Sequence, residues 1–221
     1  MIDEKEREPI WARIIFIALH PFFMAVYGIC LLFVYTDFKF VFAGQFWAFM
    51  VPVFVFTLLI PVNIIFILKR MGLIKDYDLK DKKDRLGPFI ATLLSYGLLF
   101  YYFYNAGLYI WFQTLLLAPC ILIIIAAVIT NYWKISAHMM GIGGLIGGVL
   151  SVCYFVKGSN PYVLFIVLFI LAGCLGTARL VLRRHTPAQV YTGFLLGFAV
   201  TALCVWIGAN FAYIYLKFKY L

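Results

Sequence analysis

Carboxylates are scarce in this chain and unevenly spread. Nine Asp and Glu stand in 221 residues, and none lies between Arg85 and Leu221. Chemistry in the C-terminal part therefore has to run on His, Arg, Lys, Ser, Thr and amides. Charged residues of both signs together reach only 12%, against 66% hydrophobic residues and a mean hydropathy of +1.02. A water-soluble fold cannot hide that much apolar surface. Cysteine is sparse too: Cys30, Cys120, Cys153, Cys174 and Cys204 sit inside apolar runs with no CxxC or Cys/His pairing. That pattern excludes a disulfide framework and a zinc site and leaves small buried hydrophobes. The first apolar run is too long for a signal-peptide core and lacks a small-x-small cleavage site after it, so the first helix is expected to be retained.

What is present is long apolar runs. A hydrocarbon core of about 30 Å needs roughly 20 apolar residues per helix. On that ruler the chain is all-α, a single transmembrane domain over 1–221. Seven spans fall near 14–35, 46–68, 89–105, 108–130, 139–156, 162–182 and 190–215, six to seven being the expected range. Asn105-Ala106-Gly107 joins the third and fourth as an antiparallel hairpin. Seven crossings put the N-terminus and the loops 69–88, 131–138 and 183–189 on one face. That face carries fourteen Lys and Arg, against Lys39, Lys157, Lys217 and Lys219 on the other. By the positive-inside rule the first face is cytoplasmic. The net charge of +9 follows span ends, so anionic lipid headgroups or phosphates, and not nucleic acid, are the expected partners.

Three polar clusters share this face: 75–88 (KDYDLKDKKDRLGP), 134–138 (KISAH) and 179–189 (RLVLRRHTPAQ). Ser136 is placed to N-cap the fifth span and His138 stands in its first turn, where free backbone N–H groups attract anions. Without a ligand, Ser136 would be only a cap, His138 a solvated end residue and Lys134 an interface anchor. In the third cluster Thr186-Pro187 starts the seventh span. Gln189, four residues after His185, can hold the imidazole and set its tautomer. The competing reading is a capping box in which Gln189 bonds the Thr186 backbone and never touches His185. Two histidines and several arginines at converging helix ends suit phosphoryl transfer, which depends on positioning and charge stabilisation. One histidine can attack phosphorus while the other protonates the leaving oxygen.

These residues resemble the type 2 phosphatidic acid phosphatases, whose motifs are KxxxxxxRP, PSGH and SRxxxxxHxxxD. Ile135-Ser136-Ala137-His138 stands for PSGH, and Ala178-Arg179, then His185 and Gln189 at the family's spacing, for SRxxxxxHxxxD. The resemblance covers roughly 80–195 and implies a phosphatase-like core there. It implies His185 as nucleophile, His138 as general acid, and Arg179, Ser136 and Arg85 as phosphate ligands. Lys80 is the nearest candidate for the first motif's lysine, with Lys75 behind it, because the matching position holds Asp78; the proline is displaced to Pro88. Gln189 replaces the aspartate and removes the charge that would stabilise an imidazolium at His185.

Other features have plainer readings. Gly141 to Gly148 (GIGGLIGG) lies within a span, and its four-residue spacings suit close helix packing. His20, beside Pro21, reads as a kink-associated packed residue, and the aromatics as mostly lipid-facing and interfacial. Asp76, Asp78, Asp81 and Asp84 alternate with lysines and have no second acidic cluster, which favours a solvated loop over a Mg²⁺ site. The expected function is a cofactor-free and metal-free membrane phosphatase. It would cleave a phosphate or diphosphate monoester of a lipid (phosphatidate-, prenyl- or lipid A-type) through a phosphohistidine. The alternative is an inactive relative that binds lipid phosphate or a partner subunit; homo-oligomerisation is left open, and a transporter ranks third because the ionisable residues sit at helix ends. The expected location is a bacterial inner membrane. The charge count puts the site on the cytoplasmic face, and family analogy on the periplasmic one.

Overall fold

The structure, a computed structural model, describes residues 8–74 and 86–211. Lys80, Arg85 and the other polar residues of 75–85 lie outside the described residues, and so do the first seven and last ten. All regular structure among the described residues is helical, and the chain is a polytopic helical membrane protein. Among the described residues six helices are long and apolar enough to cross a membrane, seven if a bent pair is counted as one span.

That pair is α1 (Ile10–Ala18) and α2 (Pro21–Tyr35), which meet at 60°. From the sequence a first span over 14–35 with a kink at His20-Pro21 was expected. The break follows from Pro21, which keeps His20 extended (φ −67°, ψ 140°) and takes the first helical position of α2. A short α3 (Phe38–Val41) follows, then α4 (Phe46–Arg70), α5 (Leu86–Asn105), α6 (Ile110–Thr130), α7 (Ala137–Val156), α8 (Tyr162–Val181) and α9 (Pro187–Ala209). Two spans contain one π turn each, Val55–Leu59 in α4 and Val152–Val156 in α7.

α7 is the central helix: 67% of its most apolar stretch is buried, against 39% or less in every other span. Its glycines account for that position. A Cβ on Gly143 or Gly147 would land on the carbonyl oxygens of Phe194 and Phe198 in α9, and one on Gly197 on that of Met140 in α7. α7 and α9 therefore pack backbone to backbone, as small residues allow in a membrane. The exposed apolar side chains of the outer helices face the hydrocarbon.

At the opposite end from the histidines the aromatics depart from the expectation of a lipid-facing set. Phe33, Phe38, Phe49, Phe103, Trp111 and Phe112 are buried in one cluster, with Phe38 and Phe112 stacked at 5.6 Å. Mixed edge-on and stacked contacts fill this layer with rigid side chains. At the same end Lys157 pairs with Asp37 at 2.7 Å, tying the α2–α3 turn to the end of α7.

Candidate functional site

The site forms where α1 breaks into α2, α7 begins, α8 ends and α9 begins. His138 is buried in the first turn of α7. Its ring stacks on Phe16 at 4.5 Å and meets the edge of His20 at 4.8 Å. The guanidinium of Arg179, in the last turn of α8, lies 5.1 Å from the other partner of that stack, the Phe16 ring. Phe16 thus touches both an acid candidate and a phosphate-ligand candidate. His20 and His185 both lie within electrostatic range of His138. Nε2 of His138 is buried with no hydrogen-bond partner among the described residues. Such an atom in a native fold calls for a missing partner.

The turn from α8 into α9 aims His185. Arg184 N–H donates to the Arg179 carbonyl at 3.2 Å and Arg183 N–H to the Leu180 carbonyl at 2.9 Å, the paired bonds of a Schellman ending. Arg183 takes the left-handed position usually given to glycine, at φ 50°. Backbone strain of this kind clusters at functional turns.

Gln189 resolves the two readings of its role by serving both. Its Oε1 accepts the Thr186 backbone N–H at 3.2 Å while the Thr186 hydroxyl accepts the Gln189 N–H at 3.4 Å, a complete capping box. The same Oε1 lies 2.9 Å from Nδ1 of His185. An oxygen held by a backbone N–H can only accept from the ring, which favours the tautomer with its proton on Nδ1. In the neutral ring, Nε2 then keeps its lone pair. Burial lowers His185 from 6.5 to about 4, with the Arg179 charge adding to it. The Gln189 and Lys134 backbone hydrogen bonds pull the other way and are outweighed. The ring is therefore neutral at pH 7.

Ser136 behaves differently from the expectation. It holds the N-cap position of α7, but its hydroxyl makes no capping bond and is buried without a partner among the described residues. It faces α9, where a Cβ on Gly193 would come 2.8 Å from the Ser136 carbonyl oxygen and 3.5 Å from its Cβ. Ser136 does not line the cavity that the histidines share.

That cavity has a volume of about 530 Å³, and its polar end is formed by His20, Lys134, His138, Arg179, Arg183 and His185. Pro88, the displaced proline of the first motif, also lines it. Among the described residues no group of three His, Cys, Asp or Glu could hold a metal ion.

Three participants were missed in the sequence. His20 caps α2, accepting the Phe22 N–H on Nδ1 at 3.4 Å, and reaches the site as well. An ionisable residue within an apolar run was the signal for it. Phe16 carried no signal among so many aromatics. Glu8 brings a carboxylate to a region that has none of its own, pairing Arg184 and Arg13 at 3.0 Å each. The Arg13 hydrogen bond, with Arg184 adding, holds Glu8 below its ordinary value. Compared with known proteins, the chain matches no family model, no curated protein and no solved structure.

Proposed function

We propose that the protein is a membrane lipid phosphatase that works without metal through a phosphohistidine at His185. The observation that supports the reading is the shared Gln189 oxygen, which favours the proton on Nδ1 and so Nε2 as the nucleophile. The partial match to the type 2 phosphatidic acid phosphatase motifs supports it. So does the gathering of Arg179, Arg183 and Lys134 around the histidines, since phosphoryl transfer is catalysed mainly by charge stabilisation and positioning.

In the first step Nε2 of His185 attacks phosphorus, the bond from phosphorus to the lipid oxygen breaks, and His138, brought to its protonated form by the negative charge of the bound phosphate, gives its proton to that oxygen. In the second, His138 takes a proton from water as the water oxygen attacks phosphorus. The N–P bond breaks and inorganic phosphate leaves. Arg179 neutralises the equatorial oxygens in both steps.

Gln189 favours a second reading, because a neutral amide does not stabilise the charged ring of a phosphohistidine as an aspartate would. In that reading the protein binds lipid phosphate without cleaving it. The two are separated by quenching the protein during reaction with a ³²P-labelled lipid phosphate. An acid-labile, base-stable label present in wild type and missing in His185→Ala supports the enzyme; binding without any label supports the binder.

A further inference from the structure

The cavity does not stop at the histidines. It runs on into the bundle between α2, α5, α6 and α7, where Met24, Ala25, Ile29, Leu32, Leu116 and Val149 line it. From His138 to Val149 along α7, and from His20 to Leu32 along α2, it is about 16–18 Å deep at roughly 1.5 Å per residue. That is more than half of a hydrocarbon core of about 30 Å.

We propose that this channel receives the hydrocarbon chain of the substrate, so that the ligand is a phosphate on a single long chain drawn into the protein interior. The proposal rests on the phosphate site described above and adds where the tail goes. Two independent features point to it. The first is the wall of α7. Gly143 and Gly147 serve the contact with α9, whereas Gly141, Gly144 and Gly148 line the channel, with Gly28 of α2 also lining it. A Cβ there would press on neighbouring side chains, on Pro21 and Met24 from Gly141, on Thr201 from Gly144 and on Leu115 and Thr201 from Gly148, so these glycines bring the walls together and keep the channel slender. The second is His138, which lines the channel mouth, is 7% exposed, and keeps Nε2 without a partner among the described residues.

The lining specifies the occupant. Its mouth is cationic and its depth mainly apolar, with Thr92, Tyr96 and Thr201 the polar exceptions, so inorganic phosphate would fill the mouth and leave the rest empty. A cavity of about 530 Å³ that opens at the surface and is walled mainly by apolar side chains favours an apolar occupant. An apolar chain ending in phosphate satisfies both parts. The volume falls in the range of about 300–1,000 Å³ usual for small-molecule sites.

The test is binding of single-chain alkyl phosphates of graded length to the full chain in nanodiscs, read by native mass spectrometry, for wild type, Ala25→Phe and Ile29→Phe. Ala25→Phe plugs the channel about 7 Å below His20 and Ile29→Phe about 13 Å below it. Each should weaken the chains that reach its plug by about tenfold or more, the order set by overpacking a filled apolar site. The cut-off should come at longer chains in Ile29→Phe, an order that general misfolding would not produce. A photoreactive group at the chain end should label Leu32, Leu116 or Val149 in wild type, a measurement that needs no variant. Labelling confined to lipid-facing residues such as Val34 and Ile170, or one length profile for all three proteins, overturns the channel. Graded binding with no phosphate release keeps the channel and removes the phosphatase reading. Phosphate release with an unchanged length profile does the reverse.

Discussion

Gln189 uses one oxygen for two bonds, to the Thr186 backbone and to Nδ1 of His185. A carbonyl oxygen has two lone pairs, so a capping box and an imidazole contact need not compete. In the sequence they looked exclusive because each was counted as a separate pairing. Gln189→Glu supplies the missing charge without changing the reach of the side chain. An opposite charge beside the ring favours its protonated form, so the substitution should raise His185 from about 4 toward its ordinary range, followed by NMR titration of labelled histidine. An unchanged titration would show that Gln189 does not contact the ring in solution.

The low value has a second consequence. The unfolded ring takes up its proton near pH 6.5 and the folded one only near 4, so between these values the unfolded state binds more protons. Stability should therefore fall as pH drops from about 6.5 to about 4. His185→Asn should lessen the fall of the melting temperature across that window. A wild type and variant with parallel pH profiles would contradict the assigned burial. At this scale the His185–Gln189 contact was legible from four-residue spacing, and His20 was not. Its neighbour His138 is distant in the chain, and only the break between α1 and α2 brings the two rings together.

At the scale of helices, the α7–α9 contact depends on atoms that are absent. Gly197→Ala would drive a methyl group into the Met140 carbonyl, where no flexible side chain can yield. Overpacking of this kind costs about 1–3 kcal/mol and should appear as a lower melting temperature in detergent. Gly173→Ala, where a Cβ meets nothing within 4 Å, should leave it unchanged. Equal effects would show that helix propensity, and not close approach, governs these positions. The glycine spacing in α7 announced a tight contact but could not name its partner. Ser136 suited the cap by type and position, yet its hydroxyl makes no capping bond and is buried against α9.

Over the whole molecule, the apolar runs gave the spans to within a few residues, because the bilayer imposes length through backbone hydrogen bonding alone. Burial within the bundle was less legible. Nothing in the composition separates a phenylalanine facing lipid from Phe112, which is fully buried, since lipid and protein interior are equally apolar. The cavity was invisible for the same reason, being assembled from residues scattered over several helices. The ion pair at the far end is a weaker constraint: Asp37 is half exposed, and Lys157→Ala should cost about 1 kcal/mol or less by thermal melting. A larger loss would mean that this end holds the bundle together.

The central claim is that His185 cleaves a lipid phosphate without help from a metal. Its most direct test is phosphate release by purified, detergent-solubilised protein from a panel of lipid phosphates and prenyl diphosphates in EDTA, comparing wild type with His185→Ala. The account predicts release that survives the chelator and is lost in the variant. Release that the chelator abolishes, or that His185→Ala retains, contradicts it.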